Sequence, residues 1–179
     1  MKTACAAFAS VMVIAVSASA AAQDQTAPEP APKPTPCSTE EYRQFDFWLG
    51  EWDVTPAGQD KPVAVNRISA QHGGCVVLEE YEAGGYSGMS LNFYDKTAGE
   101  WRQTWMSNQG APLYLAGGLD ETGAMVMSDE GLVDGDKINR ITWTANDDGA
   151  VRQLWEQSED DGESWKTVFD GLYTKKMED

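Results

Sequence analysis

The chain has 179 residues, with 13 Lys and Arg against 29 Asp and Glu, for a net charge of −16. That length suits one domain with accessory sequence, and the acidity excludes binding to nucleic acid or to anionic membrane surfaces, which need clustered Lys and Arg. A hydrophobic content of 41% with seven Trp supplies apolar surface for a buried core, and a single histidine, His72, excludes a multi-histidine metal centre.

Residues 1–22 read as a cleaved signal peptide. Lys2 supplies the positive start, Ala6 to Val16 forms the apolar run, and Ala18-Ser19-Ala20 and Ala20-Ala21-Ala22 both fit a small-residue cleavage site. The run is shorter than the roughly 20 apolar residues of a spanning helix. The mature protein is therefore expected to have no transmembrane segment and to reside in the periplasm or the medium. An uncleaved anchor is the alternative. Residues 23–36 read as a linker, because Pro28, Pro30, Pro32, Pro34 and Pro36 hold the chain near polyproline II as a semi-rigid spacer.

Residues 37–179 are assigned to one domain. Cys5 leaves with the signal, so Cys37 and Cys75 are an even pair in an exported protein. An oxidising compartment favours a disulfide between them, worth about 3–4 kcal/mol; two buried thiols are the alternative. Thr39 to Leu49 is the one helical candidate, with Ser38 or Thr39 as its cap and Glu40 and Glu41 in its first turn.

From Glu51 onward the chain reads as ten short strands. They are Glu51–Thr55, Val63–Gln71, Cys75–Ala83, Met89–Asp95, Glu100–Asn108, Leu113–Asp120, Ala124–Asp129, Lys137–Asn146, Ala150–Ser158 and Ser164–Thr174. Short glycine-containing turns join most of them, including Gly84-Gly85-Tyr86-Ser87-Gly88, Asp147-Asp148-Gly149 and Asp160-Asp161-Gly162. Hairpin-linked strands without crossover helices make an antiparallel meander. The expected fold is an all-β up-and-down barrel with a short N-terminal helix, since closure removes exposed edges. A β-sandwich is the alternative.

Side-chain alternation proposes the inner face. Val77, Glu79 and Tyr81 oppose Glu80 and Glu82. Trp101, Gln103 and Trp105 oppose Arg102 and Thr104. Val151, Gln153 and Trp155 oppose Arg152, Leu154 and Glu156. Met89, Leu91 and Phe93 oppose Ser90, Asn92 and Tyr94, and Trp165, Thr167 and Phe169 oppose Lys166, Val168 and Asp170. The inferred interior is aromatic, with Glu79, Gln103, Gln153 and Thr167 as its few polar groups. That mix suits a ligand cavity, with a filled barrel as the alternative. Glu79 is expected to be hydrogen-bonded or salt-bridged, with Arg67 or Arg140 as partner; buried, its pKa would rise.

Gly99-Glu100-Trp101-Arg102-Gln103-Thr104-Trp105 is echoed by Gly149-Ala150-Val151-Arg152-Gln153-Leu154-Trp155, by duplication or by shared structural demand. Ser158-x-Asp160-x-Gly162-x-Ser164-Trp165 resembles the Asp-box, a hairpin-turn motif in which Asp160 would bond turn amides, Gly162 would permit the turn and Trp165 would pack beneath it. Its spacing does not match a calcium loop. With only His72, and with neither a G-x-S-x-G motif nor a phosphate loop, catalytic signals are sparse; no metal or other cofactor is expected.

Phe45-Asp46-Phe47-Trp48-Leu49-Gly50-Glu51-Trp52-Asp53-Val54, with Gly74-Cys75, Gly85-Tyr86-Ser87-Gly88, Tyr94-Asp95 and Phe169-Asp170-Gly171, resembles a bacterial exported family of unknown function. The Gly50-x-Trp52 step is similar to the opening of lipocalins and other calycins. The resemblance implies a calycin-like barrel in which Trp52 plugs the closed end against an arginine from a late strand. Nitrobindin-type barrels, a related shape, bind haem through a histidine on a late strand; no histidine follows His72 here.

These readings converge on a small-molecule binding barrel for an apolar or amphipathic ligand. Glu79, Tyr81, Gln103, Trp105, Gln153 and Trp155 are the expected lining, and Gly50, Trp52, Asp160, Gly162 and Trp165 are assigned to structure. A cavity enzyme using Glu79 as acid or base, and a filled-barrel envelope interaction module, are the alternatives. Nothing in the sequence sets the oligomeric state.

Overall fold

The computed structural model describes residues 35–176. The expected signal peptide, residues 1–22, and all but the end of the expected linker, residues 23–36, lie outside the described residues. Ten antiparallel strands form a closed barrel: β1 (Gly50–Pro56), β2 (Ala64–Gln71), β3 (Val76–Ala83), β4 (Tyr86–Asp95), β5 (Glu100–Ser107), β6 (Pro112–Leu119), β7 (Met125–Ser128), β8 (Ile138–Ala145), β9 (Val151–Ser158) and β10 (Lys166–Lys175). Each strand pairs with its sequence neighbours, and β1 closes the wall by pairing with β10, Trp52 opposite Lys175 and Pro56 opposite Gly171. Closure leaves no strand at a sheet edge, although the short β7 pairs with only Ala116–Leu119 of β6 and Arg140–Trp143 of β8.

The Thr39–Leu49 helix is not formed as one element. Two short 3-10 turns, Glu40–Arg43 and Asp46–Trp48, take its place, and Thr39 makes no side-chain cap bond. Phe45 and Trp48, three residues apart, both turn inward and are fully buried. Phe45 stacks on Trp48 with centroids 4.8 Å apart and meets Trp143 edge-on at 5.2 Å and Trp101 at 5.6 Å. Trp101 Nε1 donates to the Glu41 carbonyl and to Gln44 Oε1, both at 3.1 Å, which fixes the segment against β5. Cys37 is disulfide-bonded to Cys75, at a sequence separation of 38 and with Cα atoms 5.1 Å apart. Arg43 also donates to the Gly74 carbonyl, so the capping segment is tied to the β2–β3 connection covalently and by hydrogen bonding.

Gly50 and Trp52 sit at this plugged end. Trp52 is fully buried, and its Nε1 donates to the Trp48 carbonyl at 2.8 Å. The cation over its ring is Lys175 of β10, 3.8 Å from the ring centroid, rather than an arginine. Lys175 Nζ also donates to the Leu49 carbonyl at 2.5 Å. Gly50 has φ of 140°, a backbone conformation that favours glycine, and its bare Cα leaves room for the Lys175 ammonium group.

Two strands depart from the alternation expected of them. In β4, Ser90 and Asn92 are fully buried while Met89, Leu91 and Phe93 face outward at 37–47% exposure. Register explains the reversal. Ser90 lies opposite Glu79 and Asn92 opposite Val77, so the second oxygen of the buried carboxyl finds its Ser90 donor only if the polar face of β4 turns in. In β10 the register shifts between Thr167 and Phe169. That bulge leaves Thr167 exposed, so it is not an interior polar group; Phe169, Gly171 and Tyr173 point inward beyond it. Trp165 precedes the strand.

The Asp-box turn satisfies itself. Ser164 N donates to Asp160 Oδ1 at 2.8 Å, Ser164 Oγ to Asp160 Oδ2 at 2.5 Å, and Gly162 N to Ser158 Oγ at 2.8 Å. Gly162 has φ of 87°, Trp165 Nε1 donates to the Gly162 carbonyl, and Arg140 covers the Trp165 ring at 3.8 Å.

Candidate functional site

The aromatic plug fills only one half of the barrel. In the other half is a cavity of about 270 Å³, bounded by residues from β3, β4, β5, β6, β8, β9 and β10. All six residues read from the sequence as lining, Glu79, Tyr81, Gln103, Trp105, Gln153 and Trp155, border this one space. The sequence echo places Gln103 and Trp105 on β5 and Gln153 and Trp155 on β9, well apart around the wall. Tyr86, Leu113, Ile141, Trp143, Val168, Phe169 and Tyr173 complete the lining.

The floor is buried and polar. Glu79 is 4% exposed, and its carboxylate accepts from Asn66 Nδ2 at 2.8 Å and from Ser90 Oγ at 2.6 Å. Asn92 Nδ2 donates to Ser90 Oγ at 2.8 Å, and Gln103 Nε2 donates to Asn92 Oδ1 at 2.7 Å. The hydrogen bonds thus run in one sense from Gln103 through Asn92 and Ser90 to Glu79. No arginine takes part. Arg67 pairs with Glu51 at 3.0 Å and Arg140 with Glu156 at 2.9 Å. Burial with only neutral donors pushes the Glu79 carboxyl up to about 7, since the bonds from Ser90 and Asn66 offset only part of the lost hydration. Across the floor, Gln153 Oε1 accepts from Tyr173 OH at 2.7 Å and from Trp143 Nε1 at 3.1 Å. Burial holds the Tyr173 phenol well above its ordinary range, with the charges of Glu79 and Tyr81 acting in the same direction.

The mouth is aromatic and half-buried. Tyr81 meets Trp105 with centroids 6.3 Å apart and planes at 74°, and Tyr86 at 6.1 Å and 70°. Trp155 Nε1 donates to Asn139 Oδ1 at 2.9 Å, and Asn139 Nδ2 donates to Asp129 Oδ2 at 2.6 Å, which sets the ring orientation. Two glycines make room for the rings. A Cβ on Gly88 would strike the Trp105 ring, and one on Gly171 would strike the Phe169 ring.

Sequence reasoning missed several of these groups. Tyr86 was expected in a turn, but Ala83 pairs with Tyr86 across Gly84-Gly85, so the turn is two residues and the tyrosine enters β4. Ile141 and Trp143 carried a legible signal, being two apart in a predicted strand. Asn66, Ser90 and Asn92 carried none, because hydropathy places them outside. His72 lies in the β2–β3 turn, exposed and away from the cavity lining. Among the described residues no cluster of three or more His, Cys, Asp or Glu is placed to hold a metal, and no helix is long and apolar enough to cross a membrane.

No family model matches the chain, and no curated protein matches it. The reading of function therefore rests on the cavity itself.

Proposed function

We propose that this protein is an exported binding protein for a small apolar or amphipathic molecule, held in the open half of a calycin-like barrel. The observation that carries the reading is the division of the interior. A plug of Phe45, Trp48, Trp52 and Trp101 supplies core away from the cavity lining, while Ile141, Trp143 and Tyr173 join that core and also border the open space. A cavity of about 150 Å³ holds benzene, so about 270 Å³ suits a ligand of one ring with substituents. Aromatic walls supply contact area, while Glu79, Gln103 and Gln153 supply orientation. The Gly50-x-Trp52 corner and the Cys37–Cys75 disulfide agree with an exported calycin-like protein.

Native mass spectrometry of the protein recovered from its own cells tests this. A small-molecule adduct is expected, lost on denaturation and diminished by Trp105→Ala and Gln153→Ala. An adduct that survives both substitutions unchanged would place the ligand elsewhere. A second reading, a cavity enzyme, draws on Glu79, whose pKa of about 7 suits proton transfer at neutral pH. An ordinary carboxyl pKa for Glu79 by NMR would remove that reading.

A further inference from the structure

The chemistry of the lining restricts what the proposed cavity can bind. None of the residues that border it is Lys, Arg or His, and the one carboxyl among them is Glu79. A ligand carboxylate or phosphate would enter a low-dielectric space with no cation to receive it and a like charge on the floor, an arrangement that desolvation and repulsion both oppose. The converse holds for a cation. Glu79 is a buried carboxyl whose partners, Asn66 and Ser90, are both neutral, so its charge has no counterpart within the barrel.

The mouth adds a second feature that points the same way. Tyr86, Tyr81 and Trp105 do not stack. Tyr81 meets each of the other two edge-on, with planes at 70° and 74°, and all three rings border the cavity. Trp155 and Phe169 line the cavity from β9 and β10. Tyr and Trp rings around one space, with a carboxyl among them, are the groups that receive an ammonium ion. The net charge of −16 also concentrates cations near the molecule.

We infer that the ligand is a small organic cation, an ammonium group on an apolar body, caged by Tyr81, Tyr86, Trp105 and Trp155 with Glu79 as its counter-charge. The inference rests on the binding-protein reading above and names its ligand class. The neutral Gln103 and Gln153 side chains would contact the uncharged part of the molecule.

The test compares three soluble probes of similar size on the mature, disulfide-bonded protein by isothermal titration calorimetry at physiological salt. They are phenyltrimethylammonium, its neutral isostere tert-butylbenzene, and benzoate. The cation is expected to bind about ten-fold more tightly than the isostere, and benzoate to give no saturable heat. Glu79→Gln and Trp105→Leu, each checked for native fold by circular dichroism, are expected to narrow that ratio. Equal or tighter binding of tert-butylbenzene or of benzoate would overturn the inference while leaving a binding cavity in place. A cation preference unchanged by both substitutions would trace it to the acidic surface and overturn the inference too. If no probe binds, the binding-protein reading fails along with it.

Discussion

Replacing Glu79 with Gln should make the protein more stable at alkaline pH and slightly less stable in acid. The unfolded chain ionises this carboxyl near 4.5, whereas the folded protein retains the proton until about pH 7. Between those values the folded state binds the extra proton, so stability falls as pH rises through the window and levels off above it. Working the shift through linkage, the wild type is about 3 kcal/mol less stable at pH 8 than a barrel without this ionisation. The glutamine keeps the bond from Asn66 but cannot accept the Ser90 hydroxyl through its amide nitrogen, a loss of about 1 kcal/mol. Glu79→Gln is therefore expected to gain about 2 kcal/mol at pH 8, a rise of about 4–8 °C in Tm for a domain of this size, to change stability little at pH 5, where the gain and the loss nearly cancel, and to approach a loss of about 1 kcal/mol only near pH 4. Urea unfolding of both proteins across pH 5 to 8 measures it, and taking the difference at each pH cancels the contribution of the many surface carboxylates. A difference that stays constant across that range would refute the account of Glu79 as a buried carboxyl without a cation.

Gly88→Ala should force the Trp105 ring from its seat, since the added methyl overlaps it; the expected cost is about 1–3 kcal/mol in urea unfolding, with altered Trp fluorescence. An unchanged emission spectrum would contradict that packing. Reduction of Cys37–Cys75 should lower stability by about 4 kcal/mol, because a 38-residue separation in the unfolded chain is no longer constrained. Melts with and without reductant measure it, and coincident curves would show that the capping segment holds without the bond.

Much of the wall was legible because period-two alternation and glycine turns are local properties. Trp101, Gln103 and Trp105 could share a face only if Glu100–Ser107 is a strand, and the same logic placed Gln153 and Trp155 beside the cavity. β4 was not legible in this way. Alternation there separates Met89, Leu91 and Phe93 from Ser90, Asn92 and Tyr94 without saying which set is inside, and hydropathy chooses the wrong one. Thr167 was misplaced for a related reason: a one-residue bulge reverses facing, and its only trace is the pairing partner. The arginine partners considered for Glu79 lie on outward faces, where they meet surface carboxylates instead.

The sequence by itself determined the strand pattern, favoured its closure over a sandwich and favoured the Cys37–Cys75 bond over two free thiols. Those follow from spacing, turn chemistry and elimination. Tertiary structure decided that the F-D-F-W segment folds into tight turns that plug one half of the barrel, and that the polar face of β4 turns inward to serve Glu79. Both depend on volume and hydrogen-bond supply across strands remote in sequence. The buried carboxyl needs donors that only β2 and β4 can bring, and the cavity is left open because Phe45, Trp48, Trp52 and Trp101 pack together outside its lining.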